Sequence, residues 1–105
     1  MASANLSLAS SVLAKPIRVG RIQLSHRIAM APMTRFRASK EHVVNEAAAE
    51  YYSQRATPAG TLLITEGIFI APKAGGYAHV PGIWSDEQIA VWKRVRCTSS
   101  PHEIF

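Results

Sequence analysis

The chain has 105 residues, of which 48% are hydrophobic and 18% charged, with one cysteine and a net charge of +5. This length allows one small domain and excludes two. No apolar run approaches the ~20 residues that a membrane span requires, so we expect no membrane association. The lone Cys97 excludes an intramolecular disulfide and gives no sign of an oxidising compartment.

The positive charge is concentrated in the first forty residues, which contain no acidic residue before Glu41. A nucleic-acid patch is disfavoured, because the basic residues are scattered and lack interleaved aromatic residues. A mitochondrial presequence fits the Ser-rich, acid-free start. We prefer a flexible tail over residues 1–13, followed by strands whose basic residues face solvent or an anionic ligand. The sequence therefore predicts a cytoplasmic protein without a nucleic-acid partner, with mitochondrial import as the alternative.

The next elements form a first strand–loop–helix unit. Residues 16–24 alternate around Gly20-Arg21, which predicts a β-hairpin. Residues 27–31 are predicted to be a buried strand that Pro32 ends by removing a hydrogen-bond donor. Asn45 is a favourable N-cap for a helix over residues 45–56. One face of this helix carries Ala48, Tyr51, Tyr52 and Arg55 at helical spacing.

A second unit follows after a Pro-Ala-Gly turn at residues 58–60. Residues 61–65 are predicted to form a strand, and residues 66–84 a long loop of the kind that is usually functional or disordered. Ser85 and Gln88 form a capping box that starts a second helix. Ile89, Trp92 and Val95 lie on one stripe of that helix.

Residues 96–105 depart from the pattern, because a Ser/Pro turn stands where a third strand is expected. We therefore divide the chain into a tail (1–13), an α/β part (14–95) and an aberrant C-terminal tail (96–105). Two βα units leave sheet edges unpaired, so the α/β part is predicted to be the beginning of a larger fold. The segments 29–35 and 62–67 would end at the same edge of the sheet, where α/β folds bind ligands.

The chain resembles the Old Yellow Enzyme family of flavin-dependent ene-reductases in the order and spacing of four motifs. They are residues 31–38 (APMTRFRA), 49–56 (AEYYSQRA), 63–67 (LITEG) and the pair 74–77 (AGGY) with 81–85 (PGIWS). The resemblance implies an α/β fold, the N-terminal portion of a (β/α)8 TIM barrel, truncated after the hairpin and the first two βα units. A complete barrel needs ~250 residues. A truncated gene model, a frameshift or a retained intron would explain the tail.

The resemblance also implies that FMN is bound by Pro32, Met33, Thr34 and Gly67. A hydroxyl and a backbone N–H at strand ends can bond the edge of the flavin ring and stabilise its reduced form. From the residues alone, Thr34 could instead stabilise a turn, and Gly67 could be an ordinary turn glycine.

Other polar residues are interpreted structurally. Arg35 and Arg37 are expected to pair with Glu50 or Glu66 or to cover loop surface, and Tyr51 and Tyr52 to pack the helix on the sheet. The four histidines show no metal-ligand spacing, so we predict no metal. The family's catalytic residues are expected beyond residue 105, so none is assigned here.

The predicted function is an FMN-dependent NAD(P)H oxidoreductase that passes hydride from NAD(P)H through FMN to an activated alkene. The expected partner is a small enone-type substrate such as an α,β-unsaturated carbonyl compound, and the oligomeric state is left open. The 105-residue chain alone is expected to be inactive. The alternative is a non-catalytic truncated product or interaction fragment.

Overall fold

The computed structural model describes residues 7–98 and, as backbone only, residues 103–104. In chain order the strands and helices are β1 (Ile17–Val19), β2 (Ile22–Leu24), β3 (Ala29–Met30), α1 (Ala47–Arg55), β4 (Leu62–Leu63), α2 (Asp86–Thr98) and β5 (Glu103–Ile104). Within the predicted tail, the described residues form short 3-10 turns at Leu8–Ser10 and from Val12 onward. Residues 1–6, 99–102 and 105, on which parts of both tail predictions fall, lie outside the described residues.

The predicted hairpin is confirmed. β1 and β2 pair antiparallel, with Val19 opposite Ile22, so that Gly20 and Arg21 form a two-residue turn. Gly20 has a φ of 60°, which a glycine adopts without steric cost and which such a tight turn requires.

A parallel sheet in the order β3-β4-β5 lies beside the hairpin. Ala29 pairs with Leu62, and Leu62 pairs in turn with Glu103. The expectation that the chain lacks a third strand is therefore wrong. Two residues are too few for an alternating pattern to show, and a strand containing Glu has low β-propensity, so the sequence carried no signal for β5.

The two predicted parallel strands exist but are shorter than expected. Leu63 of β4 is fully buried, whereas Ala29 of β3 is exposed and Met30 is half-buried. The prediction that β3 is buried was therefore wrong. β3 pairs on one edge only, with β4, and no described layer covers its remaining surface.

The second helix begins at its predicted capping residue, whereas the cap position of α1 is Glu46 and not the predicted Asn45. The Asn45 side chain accepts a hydrogen bond from the N–H of Ala47 at 2.8 Å, one residue outside the cap position of α1. At the start of α2, Ser85 and Gln88 form the predicted capping box. None of the helices in the described part of the chain is long and apolar enough to cross a membrane.

The core lies between the two helices and β4. Tyr52 of α1 packs against Trp92 of α2 with ring centroids 6.3 Å apart, and the Trp92 indole N–H donates to the carbonyl of Gly82 at 3.2 Å. Ile89, expected on the buried stripe of α2, is half-buried. The buried residues of this core are Val44, Ala48, Tyr52, Ala56, Leu63, Val91, Trp92 and Val95.

Candidate functional site

An open cleft of about 430 Å³ lies past the carboxyl ends of β3 and β4. Both strands run in the same direction, so the segments that follow them meet at this edge of the sheet. The cleft is lined by Thr34, Phe36, Gly67, Ile68, Phe69, Tyr77 and Val80. The structure therefore brings together two of the four predicted cofactor-binding residues, Thr34 and Gly67.

Two histidines connect the loops that form the walls of this cleft through hydrogen bonds. His42 Nδ1 lies 2.6 Å from the carbonyl oxygen of Val80, and His79 Nδ1 lies 2.8 Å from that of Ala38. The Ala38 N–H also donates to the His79 carbonyl at 3.1 Å. These contacts hold the segment after β3 against the long loop after β4, so that Phe36 and Tyr77 meet edge to face at 6.3 Å.

The polar groups of Thr34 and Gly67 are free to bind a ligand. Among the described residues, neither the Thr34 hydroxyl nor the Gly67 N–H makes a hydrogen bond within the chain. The turn-stabilising alternative for Thr34 thus finds no contact to support it. Gly67 lacks a positive φ, and a Cβ there would meet nothing within 4 Å, so the described chain itself gives no reason for a glycine.

Pro32 and Met33 lie on the segment that leads from β3 to Thr34. Both residues are exposed, and neither lines the cleft. Their assignment to the cofactor stays a prediction, because backbone groups at this strand end can reach a ligand without lining the cavity with side chains.

A buried ionic cluster joins the two segments that lead into the cleft. Arg35 Nη2 is 2.6 Å from Glu66 Oε1, which confirms the predicted pairing of Arg35; the side chains are 20% and 1% exposed. The Tyr52 hydroxyl donates to the same carboxylate oxygen at 3.4 Å and accepts from the Glu66 N–H at 3.2 Å. Tyr52 is almost fully buried, which confirms its predicted packing role.

The electrostatics of this cluster favour the paired, charged form of Arg35. Burial lowers the pKa of the guanidinium, but the hydrogen bond and charge of Glu66 outweigh that effect, and the pKa is raised. Burial also raises the pKa of Tyr52 above its ordinary value, so its hydroxyl stays a hydrogen-bond donor at neutral pH. The Arg35 guanidinium lies 3.9 Å over the ring of Tyr51, a stacking contact that further restricts it.

Sequence reasoning missed Phe36 as a wall of the cleft. The residue is 54% exposed and its φ is 55°, an uncommon backbone conformation for a bulky residue. Its position two residues after Thr34, on a loop at a strand end, was the available signal. Tyr77, on the long loop after β4, lies opposite it.

The arrangement suits a flat ring system with acceptor atoms along one edge. The free hydroxyl of Thr34 and the free N–H of Gly67 would meet that edge, while the aromatic and aliphatic walls would contact the faces. The open space at the Gly67 Cβ position allows a ring to approach the backbone closely. The residues present therefore fit the isoalloxazine ring of a flavin.

Comparison with known proteins gives a consistent result. Residues 12–97 match the model of the NADH:flavin oxidoreductase / NADH oxidase family. A chanoclavine-I aldehyde reductase of Penicillium roqueforti is 59% identical over 80 residues, which cover 76% of this chain and 22% of that protein. An NADP-dependent oxidoreductase of Aspergillus flavus is 56% identical over 85 residues, covering 81% of this chain and 22% of the relative.

Among solved structures, the chain is similar to the Old Yellow Enzyme from Pichia sp. AKU4542. The TM-score is 0.88 at 41% sequence identity, over 92% of this chain and 26% of that one. This likeness confirms the predicted resemblance and fold class, part of a (β/α)8 barrel, and the described residues form no closed barrel. The chain spans about a quarter of the length of the proteins it matches.

Proposed function

Because the chain belongs to the NADH:flavin oxidoreductase / NADH oxidase family, we propose that it supplies one edge of the flavin site of an FMN-dependent NAD(P)H oxidoreductase. The observation that carries this proposal is the meeting of the unpartnered Thr34 hydroxyl and Gly67 N–H in one cleft at adjacent strand ends. Pro32 and Met33 would complete this edge through the backbone that leads to Thr34.

FMN, when bound, supplies the transfer of hydride from NAD(P)H to a substrate. The chain's own residues bind and orient the ring. Thr34 and Gly67 donate hydrogen bonds to its polar edge, and fixed donors of this kind favour the form that carries more negative charge. Phe36 and Tyr77 would contact a face of the ring from one side of the cleft.

The proposed substrate is a small molecule whose carbon–carbon double bond is conjugated to a carbonyl group. The mainly apolar, aromatic lining of the cleft suits a planar conjugated compound. The Penicillium relative is named as the reductase of an aldehyde, and the Aspergillus relative as NADP-dependent. The first name supports a carbonyl-containing substrate, and the second supports a nicotinamide reductant.

The 105-residue chain alone is proposed to bind FMN weakly and to have no NADPH oxidation activity. Its described parallel strands form an open sheet, so the polar groups of the cleft would contact only one edge of the ring. Ordering each residue costs ~1–2 kcal/mol of backbone entropy, which a half-enclosed core offsets poorly. An interaction role remains a prediction that no contact among the described residues favours.

The test is a titration of the isotope-labelled chain with FMN, followed by NMR and by NADPH absorbance. We expect dissociation constants weaker than about 100 μM, amide shift changes centred on Thr34 and Gly67, and no NADPH consumption. Thr34→Val, which keeps the shape but removes the hydroxyl, should weaken binding, whereas the control Thr34→Ser should retain it. Shift changes that avoid both amides would overturn the site, and micromolar binding with turnover would overturn the expected inactivity.

A further inference from the structure

The two residues proposed to contact the flavin are each adjacent to one member of the buried ion pair. Thr34 precedes Arg35, and Gly67 follows Glu66. The 2.6 Å contact between Arg35 Nη2 and Glu66 Oε1 therefore joins the segment after β3 to the segment after β4 at the point where the cleft begins. The strands themselves pair over only two residues each, so they fix this edge poorly.

Three further hydrogen bonds fix the backbone and side chain of Glu66. Its N–H donates to the Tyr52 hydroxyl at 3.2 Å, its carboxylate accepts from that hydroxyl, and its carbonyl accepts from the Thr65 hydroxyl at 3.2 Å. The Glu66 carbonyl and the Gly67 N–H belong to one planar peptide group. Holding the carbonyl therefore sets the direction in which the Gly67 N–H points.

Two contacts restrict the Arg35 side chain. Its guanidinium lies 3.9 Å over the Tyr51 ring and bonds Glu66 through Nη2, while Arg35 Nε and Glu66 Oε2 are buried without a partner among the described residues. Buried ion pairs seldom stabilise a fold more than apolar residues of similar volume would, and these two atoms carry an added desolvation cost. Stability alone is therefore a weak reason for this pair.

The geometry points to a positioning role: the Arg35–Glu66 pair, anchored by Tyr52, holds Thr34 and Gly67 at the spacing and orientation that flavin binding requires. This inference rests on the proposed flavin site and adds to it the residues that set its geometry. Neither Arg35 nor Glu66 lines the cleft, so the pair acts through its neighbours in the chain.

The test replaces both charges with apolar side chains in the full 105-residue chain. Arg35→Met/Glu66→Met removes the pair without leaving a buried charge, so the free energy of unfolding should change little. The amide order parameters of Thr34 and Gly67, measured without FMN, should fall from about 0.85 toward 0.6. FMN affinity should fall about tenfold, since small misplacements of binding groups are costly. Arg37→Met/Glu50→Met, which makes the same changes at exposed residues, is the control and should alter neither quantity.

The outcomes separate this inference from the proposed function. Unchanged order parameters and unchanged FMN affinity in the double variant would overturn the positioning role. If FMN perturbs neither Thr34 nor Gly67 in the parent chain, the flavin site fails, and the FMN-free order parameters still decide whether the pair orders these residues. Should the double variant not fold, Arg35→Lys keeps the charge but loses the planar fork. It should show the same loss of order at Thr34 and Gly67, and normal order there would equally overturn the inference.

Discussion

Gln88 and Ser85 form two reciprocal hydrogen bonds at the first turn of α2, each between a side chain and the backbone N–H of the other residue. Gln88 Oε1 accepts from the Ser85 N–H at 3.0 Å, and Ser85 Oγ accepts from the Gln88 N–H at 3.2 Å. The Gln88 amide also donates to the carbonyl of Glu41 at 3.0 Å. This buried side chain therefore joins the helix start to the loop that carries one wall of the cleft.

Replacing the two residues of this capping box should lower the stability of the chain by unequal amounts. Ser85→Ala should lower the free energy of unfolding by ~1 kcal/mol. Gln88→Ala should lower it by roughly 2–3 kcal/mol, because it leaves several partly buried backbone groups without partners. Urea unfolding of both variants measures the difference. The exposed Gln54→Ala is the control and should stay within about 0.5 kcal/mol of the parent; equal losses for Ser85→Ala and Gln88→Ala would contradict the bridging role.

Two glycines should respond oppositely to alanine. Gly67→Ala should leave unfolding unchanged or raise its free energy by up to ~1 kcal/mol, since no strain or contact opposes a Cβ there, yet it should weaken FMN binding. Gly60→Ala should destabilise the chain by more than ~1 kcal/mol, because Gly60 has a φ of 80° and its Cβ would lie 2.9 Å from the Ser25 nitrogen. Thermal unfolding with an FMN titration measures both. A Gly67→Ala chain that binds FMN normally would remove Gly67 from the site.

Tyr52 should give the chain an alkaline limit to its stability. Burial raises the pKa of Tyr52 in the folded state above its ordinary 10.0. The contribution of the neutral phenol is then complete below about pH 10 and is lost as the pH rises through the folded-state pKa. Tyr52→Phe should cost ~1–3 kcal/mol at about pH 8, for the lost hydrogen bonds. That difference from the parent should shrink as the pH rises above about 10; a difference that stays constant there would contradict the raised pKa.

Thr34 should tune the flavin in a full-length enzyme that carries these residues. A donor at the polar edge of the ring favours the reduced, more negatively charged form, so Thr34→Ala should lower the two-electron reduction potential by roughly 30–60 mV and slow flavin reduction. Spectroelectrochemistry and stopped-flow absorbance measure these quantities, with Thr34→Ser as the control. An unchanged potential with normal kinetics would remove Thr34 from the flavin site.

Sequence reasoning succeeded where one local signal sufficed. The Gly20-Arg21 turn and the Ser85 capping box were each predicted and are each present. For Arg35 the sequence left Glu50, Glu66 and loop surface open, and the structure pairs it with Glu66. It failed where tertiary context decides, as in the exposure of Ala29 and the two-residue strand β5. The role of Phe36 was missed for the same reason, since it depends on contacts between His79 and Ala38 across distant loops.

The register of the parallel sheet has a consequence for the order in which the chain can fold during synthesis. Ala29 pairs with Leu62, so β3 has no partner until α1 and the following turn have left the ribosome. At about 5–20 residues per second, that interval lasts seconds, while the β1–β2 hairpin can close within about 10 μs. The open edge of β3 is therefore exposed to neighbouring nascent chains on the same message, and slower translation of residues 31–63 would lengthen that exposure.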